Sequence, residues 1–390
     1  MRVVLFSHPS FLTSQSMPRY ANMLSEGLKN RKHDVKIWTA KPLFYKIPFS
    51  KNIRKWLGYI DQFILFPLFV KIKLLTESKD TIFVFADQAL GPWVPLVHKR
   101  PHAVHCHDFL ALESALGLVP ENPTSFTGKV YQKFIQKGFS KGNHFISVSN
   151  KTQKDLTKYH LGEIINSEVC YNGLNRIFER LDHHHSRKKM GDYLHLNLDS
   201  GYIMHIGGNQ YYKNRMGVLE IYEQFRLNNP VSIPLLMIGS NPPDILMKKY
   251  QDSKFKEDIH FILNLGDQLI NQAYSGATCL LFPSIDEGFG WPIAEAMASG
   301  CIVITTNTAP MNEVNGEAND YSIPRKSPNI PAKEWAEICA KNVSKVVYLP
   351  ENEREEIIKK GLESSRRFDS KKCLDNITLI YNNIISNSIF

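Results

Sequence analysis

The chain has 390 residues, 43% of them hydrophobic and 22% charged. This excludes wholesale disorder, a collagen-like fibre and a multi-span membrane protein, and the length suggests two domains. The net charge of +9 is lopsided: residues 1–200 hold 28 Lys and Arg against 16 Asp and Glu, and residues 201–390 hold 19 against 22. A basic first half points to an anionic partner, whether nucleic acid, a membrane surface or an acidic substrate.

In chain order, Arg2–Ser7 reads as a buried strand, and its apolar run is too short for a signal peptide, so a cytoplasmic chain is expected. A polar turn over 8–19 leads to a helix near 20–29, where Ala21, Leu24 and Leu28 keep helical spacing. A second strand starts at His33. Ile53, Trp56, Leu57, Ile60 and Ile64 then form one helical stripe among Lys46, Lys51, Arg54, Lys55, Lys71 and Lys73. The stripe reads either as an ordinary helix packed on the sheet or as a membrane-surface helix. The most hydrophobic stretch, Phe63–Val70, falls far short of the ~18 residues of a membrane span. Short apolar runs at 81–85, 103–107, 144–148 and 168–171 predict further strands. At the end of the 103–107 strand, His105 reads as a core histidine, while His107 beside Asp108 is better placed for a ligand cleft.

Residues 183–200 are polar, and His183-His184-His185 sits beside Arg187, Lys188 and Lys189, which predicts a solvated linker rather than a metal site. A new strand–turn–helix series restarts at residue 201. Strands are expected at 202–206, 234–238, 259–263, 279–282 and 302–305. Apolar, non-alternating strands separated by helices imply parallel sheets covered on both faces. The six cysteines are scattered, with no Cys-x-x-Cys pair, and read as reduced, buried thiols.

Two segments carry chemistry. In 282–300, FPSIDEGFGWPIAEAMASG, a strand ends at Pro283, two glycines allow close backbone approach, and Pro292 and Gly300 suit the start and end of a helix. The helix N-terminus points its free N–H groups back at the loop, where oxygen-rich or anionic groups can bind. Glu287 lies in the loop and Glu295 about one turn into the helix, at the usual crevice of an open α/β sheet. In 205–215, HIGGNQYYKNR, Gly207 and Gly208 turn the chain from a strand, and Lys213 and Arg215 stand by a helix start where they can clamp a diphosphate. Neither a P-loop nor a Gly-x-Gly-x-x-Gly fingerprint is present.

The Glu-x7-Glu stretch EGFGWPIAE, its lead-in FPSID and the GG…YKNR turn resemble the retaining family 4 of nucleotide-sugar glycosyltransferases. Weaker landmarks follow in the family's order: the opening segment SHPSFLTSQSMPRYANMLSEGLKN, then VHCHD, FISVSN and VCYNGL. The resemblance implies a GT-B fold: two Rossmann-like parallel-sheet domains facing a cleft, with a C-terminal helix crossing back to the first. On that plan residues 1–182 are the acceptor side, 183–200 the linker, 201–367 the donor domain and 368–390 the returning helix. It also implies site roles. Glu295 would bind the donor ribose, and Glu287, with the Gly288, Phe289 and Gly290 backbone, would face the transferred sugar. Lys213 and Arg215 would neutralise the diphosphate beside Gly207 and Gly208, where the family often has Gly-Arg. His107 and Asp108 would support a same-face substitution, and Ser14, Gln15 and Ser16 would lie in the acceptor-side loop.

Departure of a nucleoside diphosphate needs fixed positive charge, and no Asp-x-Asp stands at a strand end to hold a metal. No metal or other cofactor is therefore expected, and side chains carry the charge. The implied activity is sugar transfer to a glycan or lipid-linked acceptor in surface polysaccharide assembly, with an anionic membrane surface as a partner. The readings weighed against it are an epimerase or phosphorylase of the same fold, a non-catalytic sugar-binding relative and a nucleic-acid binder. The last has no motif behind it.

Overall fold

The computed structural model describes residues 1–12, 16–174 and 178–388. Two units divide the chain: Met1–Asn175 with Ser370–Phe390, and Arg176–Asp369.

The first unit is built on six parallel strands in the order β2-β1-β3-β4-β5-β6. They are β1 Arg2–Phe6, β2 Asp34–Trp38, β3 Ile82–Phe85, β4 His102–Cys106, β5 His144–Ser147 and β6 Asn166–Val169. The apolar runs of the sequence mark them to within two residues. Alternate residues serve two cores, which is why the runs do not alternate with polar residues. Val3, Leu5, Ile82 and Val84 pack with Leu24 and Leu28 on one face. Val4, Phe6, Phe83 and Phe85 pack with Phe66 and Trp93 on the other. A parallel sheet buried on both sides needs this double cover.

The C-terminal helix Ser370–Ser388 belongs to the first core through Leu374, Ile377 and Tyr381. A Cβ on Gly27 would collide with Leu374, so glycine sets how closely this helix approaches the helix Ser16–Asn30. His105 ties the same helix to the sheet, with Nδ1 2.8 Å from the Tyr20 hydroxyl and Nε2 2.6 Å from the Tyr381 hydroxyl. It is the core histidine that the sequence suggests.

The second unit holds five parallel strands in the order β11-β10-β7-β8-β9. These are β7 Ile203–Gly207, β8 Leu235–Gly239, β9 Ile259–Leu263, β10 Cys279–Phe282 and β11 Val303–Thr305. Tyr222, Phe225 and Trp335 are fully buried against Ile203, Leu235, Met237 and Leu281.

Two expectations change. Residues 183–200 are not a linker: His183–Leu194 is a helix within the second unit. It buries only Ser186, Met190 and Gly191, packing closely against Gly276, so its polar composition reflects its solvent face. The 53–64 stripe is not one continuous helix either. The helix Lys51–Ile60 passes through a π-helical turn, Asp61–Leu65, into the helix Phe66–Leu74. The turn inserts a residue and rotates the stripe, so Leu57 and Ile60 turn partly inward while Ile53, Trp56 and Ile64 stay exposed. All six cysteines are free and buried.

Candidate functional site

Each unit gathers predicted residues at the carboxyl ends of its strands, where the helix N-termini of a parallel α/β sheet converge.

In the second unit, β7 ends at Gly207 and a single turn, Tyr211–Lys213, precedes the helix Arg215–Asn228. Asn214, at φ +50°, caps this helix by accepting from the Gly217 N–H and donates to the Pro283 carbonyl, fastening the turn to the 283–290 loop. The loop leads into the helix Trp291–Ala298, with Pro292 in its first turn. Gly290 precedes it at φ +99°, a conformation that penalises any side chain.

The turn and the loop bring Lys213 and Glu287 together. Lys213 Nζ lies 2.7 Å from Glu287 Oε1, with both side chains largely buried. The Ser284 hydroxyl donates to the same oxygen at 2.6 Å, and the Glu287 N–H donates to Asp286. Lys213 Nζ also stands 5.0 Å from the Phe282 ring centroid, an arrangement that favours a cation. Glu295 accepts from the Tyr274 hydroxyl at 2.9 Å.

Arg215 is 5% exposed. Its Nη1 donates to Asn209 and to the Ser240 carbonyl, while Nε and Nη2 have no partner. Burial lowers its pKa from the ordinary arginine value. A buried guanidinium with two open N–H groups is costly unless an anion accepts them. Sequence reasoning missed His205, which lies between the cations. Its Nδ1 bonds the Leu281 carbonyl and its Nε2 is buried without a partner. Burial, then the charges of Arg215 and Lys213, push its pKa down to about 3, so the ring is neutral. Its place two residues before Gly207, on the strand that carries the glycine turn, was the available signal.

In the first unit, His107 is buried and its Nε2 lies 2.9 Å from the Ala86 carbonyl. Burial lowers its pKa and Asp87 opposes the shift. Asp108 accepts from the Leu110 N–H, holding the start of the following helix. The sequence did not single out His8, Asp87 or Gln88. His8 Nε2 lies 2.8 Å from Asp87 Oδ2. Burial raises the Asp87 carboxyl, but the His8 hydrogen bond and charge and the nearby His107 hold it below the usual carboxylate range. Gln88 accepts from the His107 N–H and donates to the Asp108 carbonyl, bracketing both residues. Asp87 and Gln88 follow β3 directly, the position from which a strand-end search could have found them. Beside them is a cavity of about 270 Å³ lined by Met17, His107, Asp108, Leu112, Ile135 and Phe139. Ser14 and Gln15 lie outside the described residues, and Ser16 begins the helix Ser16–Asn30.

Residues 187–361 match the family model described as Glycosyl transferases group 1. The chain is 30% identical over 120 residues to O-antigen chain mannosyltransferase B of Escherichia coli, covering 30% of this chain and 32% of that protein. It is 27% identical over 199 residues to O-antigen chain mannosyltransferase RfbU of Salmonella typhimurium, 49% of this chain and 50% of that one. The matches thus span a third to a half of these relatives. Among solved structures, HepE of Anabaena in complex with UDP and glucose superposes with a TM-score of 0.68 at 15% identity, over 97% of this chain and 98% of that one. The chain therefore carries a Glycosyl transferases group 1 domain at residues 187–361 within a two-domain GT-B fold.

Proposed function

We propose that the chain is a retaining, metal-independent glycosyltransferase. It moves a sugar from a nucleoside diphosphate donor to a glycan or lipid-linked acceptor in surface polysaccharide assembly, at the inner face of the plasma membrane. The observation that carries this reading is Arg215, buried at the end of β7 with two unpartnered N–H groups beside the Lys213–Glu287 pair. That is a receptor for a diphosphate. The names of the two mannosyltransferase relatives and the UDP and glucose held by HepE point the same way.

The donor diphosphate engages Arg215 and Lys213, and Glu295 takes the ribose hydroxyls. Glu287 and the N–H groups of the 288–290 loop hold the sugar. As the bond from C1 to the phosphate oxygen breaks, the fixed cations stabilise the charge growing on the leaving group. The acceptor oxygen bonds C1 on the same face and its proton passes to the departing phosphate. His107 and Asp108 contribute from the first unit by holding a sugar hydroxyl.

The test is a thermal-shift screen of UDP-, GDP- and dTDP-sugars in the presence of a chelator. It is followed by transfer with the stabilising donor and assignment of the product anomer. Stabilisation by one nucleotide class, and a product with the donor's anomeric configuration, are expected. Binding only with added divalent metal, an inverted product, or turnover without any acceptor would each refute part of the reading.

A further inference from the structure

We infer that one face of the first unit, formed by the helices Lys51–Ile60, Phe66–Leu74 and Phe126–Phe139, seats on an anionic lipid bilayer. This deepens the reading of the acceptor as lipid-linked and rests on it for its purpose, but it is tested independently of transfer.

Two exposed apolar stripes carry the inference. On the Phe126–Phe139 helix, Phe126, Val130 and Phe134 recur every four residues and all are exposed, Phe126 by 80%. Lys129, Lys133 and Lys137 recur at the same spacing beside them and are also exposed. Ile64, Leu68, Ile72 and Leu75 form a second exposed stripe along the Phe66–Leu74 helix, with Ile72 at 67%, and Lys71 and Lys73 flank it. The sequence alone ranked neither stripe above the 53–64 run, because the π-helical turn shifts their phase.

Ring contacts join the stripes into one surface. Phe63 lies 5.5 Å from Phe134, and Tyr59 stacks on Tyr131 at 5.9 Å. Trp56, 62% exposed, borders them. A lip formed by Phe44, Ile47 and Phe49 continues the face and is also exposed. The buried Asp61 carboxylate pins this lip by accepting from the Phe44 and Tyr45 N–H groups at 3.0 and 2.9 Å.

The charge pattern selects the occupant. Asp61 is the only acidic residue in 41–76, and 122–154 contains none. A second copy of the chain would bring lysines against lysines, and protein interfaces are depleted in lysine. An anionic bilayer accepts both features: aromatic and aliphatic tips enter the headgroup region while the lysines stay at its charged surface.

The test is flotation of the full chain with phosphatidylcholine vesicles, with and without phosphatidylglycerol, at low and high salt. Binding to the anionic vesicles should exceed binding to neutral ones at least about tenfold and fall with salt. Replacing Lys129, Lys133 and Lys137 by Gln should lower the partition coefficient about a hundredfold, from roughly fivefold per lysine. The double variant Phe126→Ser, Ile72→Ser should lose binding at an unchanged melting temperature while still acting on a soluble acceptor. Equal recovery with neutral and anionic vesicles overturns the proposal, as does a concentration-dependent dimer that the serine substitutions dissolve. Intact docking without transfer to any acceptor would instead sink the glycosyltransferase reading.

Discussion

Replacing Lys213 by Met removes one half of the buried ion pair and leaves the Glu287 carboxylate with Ser284 but no cation. The side chains are 15% and 8% exposed and Nζ lies 2.7 Å from Oε1, so the pair belongs with buried salt bridges rather than screened surface ones. Breaking such a pair costs about 3–5 kcal/mol because the remaining charge stays uncompensated. Removing both charges, as Lys213→Met with Glu287→Gln, should restore most of that loss. For a unit of this size 1 kcal/mol shifts the midpoint by roughly 2–4 °C. The single variant should therefore melt on the order of 10 °C lower, with the double variant between it and the parent. The assay is urea and thermal unfolding of the four proteins of the cycle, followed by a donor titration. Transfer should fall about 10²–10³-fold in Lys213→Met and stay low in the double variant, because restored stability does not replace the charge facing the diphosphate. A loss below about 1 kcal/mol for Lys213→Met, or a coupling energy near zero, would show that the pair is solvent-screened. Undiminished transfer would remove Lys213 from the site.

Arg215→Lys keeps the charge but loses the planar fork, so the donor KM should rise at least about tenfold, with a further rise in Arg215→Ala; equal KM values in all three would refute the clamp. His205 and His105 are both pushed down to about 3 by burial, so they stay neutral when folded and bind a proton when unfolded. Stability is therefore complete above about pH 6.5 and is lost as the pH falls from there towards 3, by about 2 kcal/mol per ring at pH 5. His205→Leu should flatten the pH dependence of unfolding by about 1.4 kcal/mol per pH unit between pH 6 and 4; an unchanged slope would show that the ring is already protonated when folded. Gly290→Ala places a Cβ at φ +99° and should cost about 1–2 kcal/mol while weakening donor binding, both measurable by thermal shift with and without nucleotide.

The strands were legible because fully buried parallel strands leave continuous apolar runs such as Val3–Phe6 and Leu280–Phe282. The 291–298 helix was legible because proline and glycine mark its two ends. The 183–194 helix was hidden because its buried face consists of Ser186, Met190 and Gly191, which leave no apolar stripe. In the site, Glu287 and Lys213 could be named from their turns, but their ion pair spans 74 positions and no local pattern encodes it. His205 and Asp87 escaped for a related reason. Each sits in or beside a strand like a core residue, and only the neighbours brought in by folding show it to be a titratable group at a strand end.

The uneven charge of the halves has two physical origins. In the second unit, cations are matched inside the fold: Arg226 with Asp258, Lys249 with Glu223, Lys326 with Glu220 and Lys213 with Glu287. Its near-neutral total therefore still leaves two local cations at the end of β7. In the first unit, the lysines of 129–137 and 71–73 stand exposed beside apolar side chains, in segments almost without acid. Salt acts differently on the two arrangements. Exposed charges are screened over about 10 Å at 0.1 M ionic strength, whereas buried pairs are screened far less. Raising salt should therefore release the chain from anionic vesicles at concentrations that leave nucleotide affinity nearly unchanged. If both fall together, the basic half is part of the donor site, and the separation of a lipid-facing surface from a diphosphate clamp is wrong.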